Sequence, residues 1–338
     1  MRINPERRNE MSFLLRLFGF LVEFFIGFLS QVIAVFHASL KARYKAFLKV
    51  AFDPQASAYP GKLKIPKQPK LSNEERKIEA RFAAQLESHL PRYVYEYCRR
   101  HHKVLNTDEA RELSADYNQS VESRARYARA VHEPAGALIK AMWRAMLRTE
   151  DPDGNNDIVF MAGGGGSGKT TAVNDLPALR DMRDQAHIVY DTTMANERSS
   201  IAKVEEALSN GKNVIILYVH RPCDKAALGM LERAIRSGRT VPAEILAEDH
   251  YNAQRTFIAL LETYGEHDDV ALFVIDNSGE PGEAELKSVD FIHGVLYNEI
   301  DEVKTTVKEV IENEHLRRKG TDEEIPEYIY RAIIGQEL

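Results

Sequence analysis

The sequence predicts an α/β fold: a mainly parallel sheet flanked by helices, preceded by an α-helical module and an apolar N-terminal helix. Three observations predict it. Short apolar runs at 157–162, 187–191, 213–219 and 269–276 alternate with helix-like stretches between about residues 155 and 280; that alternation is the pattern of a parallel sheet covered on both faces. A glycine-rich stretch, GGGGSGKTT (163–171), directly follows the first of these runs and opens a helix-like one. Residues 13–36 form an almost unbroken apolar segment.

Size and charge set the bounds. A chain of 338 residues is long enough for a well-buried core and more than one domain. Its 45 Lys and Arg stand against 51 Asp and Glu, a formal net charge of −6. This balance gives no strong signal for nucleic acid, although a local basic patch stays open. Cys98 and Cys223 are isolated, without metal-ligand spacing. That weighs against a disulfide scaffold or zinc site and fits a reducing, cytoplasmic setting.

The first element spans residues 1–50, a hydrophobic helix with basic flanks. Between Phe13 and Phe36 only Arg16, Glu23, Ser30 and Gln31 are clearly polar, and about 20 apolar residues suffice to cross a hydrocarbon core. Arg16, Glu23, Ser30 and His37 fall seven apart, with Gly19, Gly27 and Ala34 between them. They line one narrow seam of small and polar side chains, the kind through which membrane helices associate. The expectation is a transmembrane helix that self-associates or pairs with a membrane subunit; a surface-lying amphipathic helix or a hairpin helix buried in an assembly is the alternative. Lys41, Arg43, Lys45 and Lys49 place the long C-terminal part in the cytoplasm.

Residues 51–71 hold Pro54, Pro60, Pro66 and Pro69 and read as an extended Pro/Lys linker. Residues 72–150 read as a helical module, with Ser72 and Glu75 forming a capping box at its start. Helical stretches are expected over about 73–104, 107–131 and 135–149. Arg99, Arg100, His101 and His102 read as a basic helix end, and no chemistry is assigned to this module.

Residues 151–283 form the core. DIVFMA (157–162) reads as a buried strand, and Gly163, Gly164, Gly165, Gly166, Ser167, Gly168, Lys169, Thr170 and Thr171 follow at once. This satisfies G-x-x-x-x-G-K-[ST] in strand–loop–helix context, the phosphate loop of P-loop NTPases and kinases. Glycines let the backbone wrap closely and turn N–H groups toward phosphate. Lys169 is expected to reach the β- and γ-phosphates and Thr170 to ligate Mg²⁺. The nucleotide is ATP, with GTP as the alternative. A dinucleotide-binding turn is disfavoured because it has no use for Lys169 and Thr170.

Beyond the loop, YDTTMAN (190–196), VEEALSNGKNVIILYVHRP (204–222), LERAIRSGRTVPAEIL (231–246) and VIDNSG (274–279) follow in order. Together with the P-loop, these resemble the zeta-toxin family of P-loop kinases over roughly residues 155–282. The resemblance implies a kinase core that transfers the ATP γ-phosphate to a small acceptor, such as a nucleotide-sugar precursor of cell wall. Asp191 and Thr193 match the acidic residue and threonine at the end of the family's third strand. Asp191 then either holds Mg²⁺, orients a nucleophile, or merely caps the strand. Arg233 and Arg239 match lid-like basic positions that approach phosphate and would offset charge on the transferring group; a solvated face of Arg233, Arg236 and Arg239 is the plainer reading. Family kinases place a second strand, ending in a catalytic base, between the P-loop helix and the strand that matches HIVYDTT. Here only TAVNDLPALRDMRDQA lies between Thr170 and His187, with Pro177 interrupting it. The second strand and its base are therefore expected to be missing, and Asp175, Asp181 and Asp184 in the gap are not placed at a phosphate.

Residues 284–338 read as a long helix over 284–318 and a tail. Leu296, Ile300, Val303, Val307 and Val310 make an apolar seam suited either to a coiled coil or to packing on the sheet or on the 73–149 helices. The apolar end, YIYRAIIGQEL, is expected to dock on a neighbour.

The leading expectation is a membrane-anchored nucleotide-binding protein that binds Mg-ATP and hydrolyses it slowly to drive or regulate a membrane assembly, as a homo-oligomer or with a membrane partner. The alternatives are a zeta-toxin-like small-molecule kinase and a non-catalytic membrane oligomer stabilised by bound nucleotide.

Overall fold

The computed structural model describes residues 63–151 and 154–335. The apolar segment 13–36, its basic flanks and most of the linker lie outside the described residues. Among the described residues, no helix is long and apolar enough to cross a membrane.

The capping box forms as expected. The Ser72 N–H donates to Glu75 Oε2 at 2.7 Å and the Glu75 N–H to Ser72 Oγ at 3.2 Å, starting helix α1 (Asn73–Ser88). The helix expected to run on to 104 breaks at His89, and Pro91 sits in the first turn of α2 (Leu90–His101), where its missing N–H does no harm. Strand β1 (Val104–Leu105), short helix α3 (Thr107–Arg111), α4 (Val121–Tyr127) and α5 (His132–Leu147) follow.

The core alternates as read: β2 (Asp157–Ala162), α6 (Lys169–Asn174), α7 (Pro177–Gln185), β3 (Ile188–Asp191), α8 (Glu197–Ser209), β4 (Asn213–His220), α9 (Cys223–Ser237), α10 (Ala243–Tyr264) and β5 (Val270–Asp276). Side chains alternate across the sheet as the pleat requires. Val159, Met161, Leu217, Val219 and Ile275 pack with Ala172 and Val173 of α6 and Leu179 of α7. On the other face Trp143 of α5 lies against Phe160 and Tyr190, and Phe257 of α10 against Tyr218. Helices thus cover both faces, which is why the strands are apolar throughout.

The sheet order is β1-β3-β2-β4-β5-β6, parallel except for β6 (Glu285–Lys287), which pairs antiparallel with β5. Between α6 and β3 there is only α7, begun by Pro177, so no strand occupies that interval. The far edge of β3 is covered instead by β1, Val104 opposite Val189 and Leu105 opposite Tyr190. This strand comes from the segment read as a helical module, at the join between two of its expected helices.

The expected helix over 284–318 is a correction: it divides into β6, a short helix α11 (Phe291–Gly294) and α12 (Ile300–Arg318). Val303, Val307 and Ile311 of α12 bury against Met230 and Leu231 of α9 and Leu246 of α10, rather than in a coiled coil. The tail docks on the same cluster through Ile329 and Ile333 of α13 (Glu327–Ile334), so its apolar face is satisfied within the chain.

Candidate functional site

The phosphate loop joins β2 to α6, with α9, α10 and the residue after β5 packed against it. Gly166 has φ +72°, and a Cβ there would lie 2.2 Å from the Ala226 carbonyl oxygen of α9; only glycine fits both the conformation and the space. A Cβ on Gly164 would lie 2.3 Å from the His250 ring of α10. The His250 Nε2–H donates to the Gly165 carbonyl at 2.7 Å. Burial, with Lys169 adding to it, pushes this imidazole down to about 4, so the ring is a neutral donor at ordinary pH. From the end of β5, the Asn277 amide donates to the Ser167 carbonyl at 2.7 Å. At the loop's start, the Gly163 N–H donates to the Thr193 carbonyl at 3.2 Å.

Lys169 folds toward the loop: its Nζ donates to the Gly163 carbonyl at 3.1 Å and lies 3.9 Å from Asp191 Oδ1. The other Asp191 oxygen accepts from Asn106 Nδ2 at 2.7 Å. Burial raises the Asp191 carboxyl, while Lys169 and the Asn106 bond oppose that rise. Asn106 in turn caps α3, taking the Asp108 N–H at 2.7 Å. The residue directly after strand β1 therefore fixes Asp191, and the helix beginning there carries Asp108, Glu109 and Glu112 toward the arginines. Arg239 lies 2.7 Å from Glu109 and 2.9 Å from Glu112. Burial alone would lower its basicity, but these carboxylates raise it. Asp108 pairs with Arg111 at 3.2 Å. Burial pushes the Asp108 carboxyl up, yet Arg111, Arg233 and Arg239 together hold it down at about 2.

Of the residues singled out from sequence, the structure brings Lys169 and Asp191 together at the loop. It places Arg233 and Arg239 beside α3, while Arg236 is exposed. Thr170 and Thr171 are exposed at the start of α6. Asp175, Asp181 and Asp184 are also exposed, the last two paired with Arg180 and Arg183. Sequence reading missed Asn106, His250, Asn277 and Asp249. Asp249 of α10 lies partly buried, and burial pushes its carboxyl up to about 7, with Lys169 opposing and Asp108 and Glu248 reinforcing. Only the DNSG stretch pointed to any of them, since it contains Asn277.

The donor set suits a phosphate group. Beside Gly168 lies Arg221, whose Nη1 would be 3.6 Å from a Cβ at that glycine and whose buried Nε has no hydrogen-bond partner. An unpaired buried guanidinium nitrogen next to a loop of backbone N–H groups fits an anion.

Comparison with known proteins agrees with the residues quoted above. No curated protein matches the chain. A crystal structure of an AvrRxo1-ORF1:-ORF2 complex aligns with a TM-score of 0.40 at 10% identity, covering 79% of this chain and 94% of that one. The family model described as Zeta toxin matches residues 178–281, a stretch that begins after the phosphate loop and ends past Asn277. Residues 178–281 are thus similar to the zeta-toxin family, and the glycine-rich loop at 163–171 lies outside that match.

Proposed function

We propose that this chain is a Mg-ATP-dependent phosphotransferase, moving the γ-phosphoryl group to a hydroxyl of a small polar acceptor. The observation that supports it most directly is the connected set Lys169–Asp191–Asn106, with the α3 carboxylates and two arginines alongside. A hydrolase needs only to position water. This arrangement adds a wall of alternating charge beside the loop's lysine, suited to holding the hydroxyls of an acceptor. Gly163–Thr171 and Arg221 hold the nucleotide phosphates in this reading. Thr170 and Asp191 are the residues that would hold Mg²⁺, which would supply positive charge to the phosphate oxygens. Arg239, released in part from Glu109 and Glu112, and Arg233, whose buried Nε has no hydrogen-bond partner, meet charge developing on the transferring group.

A second reading keeps nucleotide hydrolysis coupled to a membrane assembly. It rests on the apolar segment 13–36, which would anchor the chain, as an oligomer or with a membrane partner, and leave the nucleotide site in the cytoplasm. Incubating the full chain with γ-labelled ATP, Mg²⁺ and a metabolite extract separates the two. A labelled small molecule that disappears in Lys169→Ala supports transfer. Labelled free phosphate alone supports the second reading, and label unaffected by Lys169→Ala overturns both.

A further inference from the structure

Three carboxylates stand around Lys169 and its partners, and their surroundings differ. Asp108 is tied to Arg111 and held at about 2 by three guanidinium groups, so it holds almost no proton affinity at neutral pH. Asp191 has one oxygen on Asn106 and the other facing Lys169. Its position is fixed by Asn106, and the reading above gives it to Mg²⁺. Asp249 is different. Among the described residues it makes no hydrogen bond and no ion pair.

Its placement follows from α10. Leu246 and His250 face the phosphate loop: a Cβ on Gly165 would meet Leu246 Cδ1 at 2.8 Å, and His250 bonds the Gly165 carbonyl. Asp249 stands three residues after Leu246, the spacing that puts two side chains on neighbouring parts of one helix face. Glu248, by contrast, turns away to Lys304 at 2.8 Å. The groups that face Asp249 are Lys169 of α6 and Asp108 of α3, with Glu248 on its own helix. It therefore stands on the part of α10 next to the phosphate loop, near enough to Lys169 and Asp108 for both charges to act on it.

We infer that Asp249 is the general base of the reaction proposed above, taking the place of the base that the interval between α6 and β3 does not supply. The inference rests on that reading of the site. In the step, the attacking hydroxyl oxygen forms a bond to the γ-phosphorus as the bond from that phosphorus to the β–γ bridging oxygen breaks. The hydroxyl proton passes to an Asp249 oxygen, and the nucleoside diphosphate leaves with the bridging electron pair. Water in place of the acceptor follows the same course and yields free phosphate. The carboxyl suits this work because burial has already brought its proton affinity close to neutral pH.

The test uses the full chain and water as acceptor, so no acceptor need be known. Phosphate release from γ-labelled Mg-ATP is followed from pH 5 to 9 for wild type, Asp249→Asn and Asp249→Glu, with affinity for a fluorescent ATP analogue measured in parallel. Asp249→Asn is expected to lower kcat roughly 10²- to 10⁴-fold with analogue affinity unchanged. The wild-type rise in kcat centred near pH 7 disappears in it, and Asp249→Glu restores part of the rate. Asp249→Asn turning over within threefold of wild type, keeping the same pH rise, or losing analogue affinity together with rate overturns the assignment. A wild type that binds the analogue but never releases or transfers phosphate fails the phosphotransferase reading itself, a different result from an active Asp249→Asn.

Discussion

Replacing Asp249 by Asn should stabilise the protein, and by an amount that depends on pH. The carboxyl rises from an ordinary 3.8 to about 7 because it is partly buried with no hydrogen bond to its charged form. At about 1.4 kcal/mol per unit, holding it ionised in the folded state costs up to about 4 kcal/mol. The folded pKa lies above the unfolded one, so the group's contribution is fully present below pH 3.8 and is lost as pH rises to about 7. At pH 5 wild type has lost only the part accrued above 3.8; by pH 8 it has lost all of it. The stability gap between Asp249→Asn and wild type should therefore widen by about 3 kcal/mol between pH 5 and pH 8, then stay level. For a folded unit of this size that is on the order of 5–10 °C in melting temperature. Thermal unfolding of both proteins across this range, without nucleotide, reads it directly. Taking the difference removes every other titrating group they share. A gap that is equal at pH 5 and pH 8 would refute the reasoning, because it would mean that Asp249 ionises in the fold as it does in water.

Other substitutions test the loop's surroundings. Gly166→Ala should abolish nucleotide binding by calorimetry, since its Cβ would overlap the Ala226 carbonyl 2.2 Å away at φ +72°; binding within tenfold of wild type would contradict the packing described. Asn277→Ala removes the bond to the Ser167 carbonyl. It should weaken nucleotide affinity about tenfold, from a loss of about 1–1.5 kcal/mol. Asn106→Ala frees the Asp191 carboxylate; turnover should fall while affinity for an ATP analogue holds, and a fall in affinity alone would show Asn106 acting only on loop shape. Arg239→Ala removes the guanidinium partner of Glu112 and leaves Glu109 with only His101, 3.8 Å away. It should slow turnover and lower thermal stability by about 1–3 kcal/mol.

The strands of the core were legible because each carries its own evidence. DIVFMA is apolar throughout since it lies inside a sheet covered on both faces, and it ends where glycines begin. The capping box at Ser72 and the break at Pro177 were legible for the same reason: both are set by residues within one helical turn. Val104 and Leu105 gave no such evidence. Two residues cannot show a period, and only the open edge of β3 makes them a strand. The 284–318 stretch misled because its apolar seam starts only at Leu296, while Glu285–Lys287 carries no period of its own and becomes a strand only by pairing with the edge of β5.

The phosphate-loop motif was readable in the sequence alone, since Gly163–Thr171 is a contiguous run whose geometry follows from glycine's freedom and the strand before it. So were the alternation that supports the loop and the similarity of the segment after it to the zeta-toxin family. What surrounds the loop was decided by tertiary structure alone. His250 meets Gly165 across 85 residues of chain, Asn106 meets Asp191 across another 85, and Asn277 meets Ser167 across 110. No local pattern marks such residues, because their role is created only when the sheet order brings their elements side by side. Asp249 shows this most clearly: in the sequence it is one acid among many on a charged helix, and only the fold sets it near a lysine and withholds a partner from it.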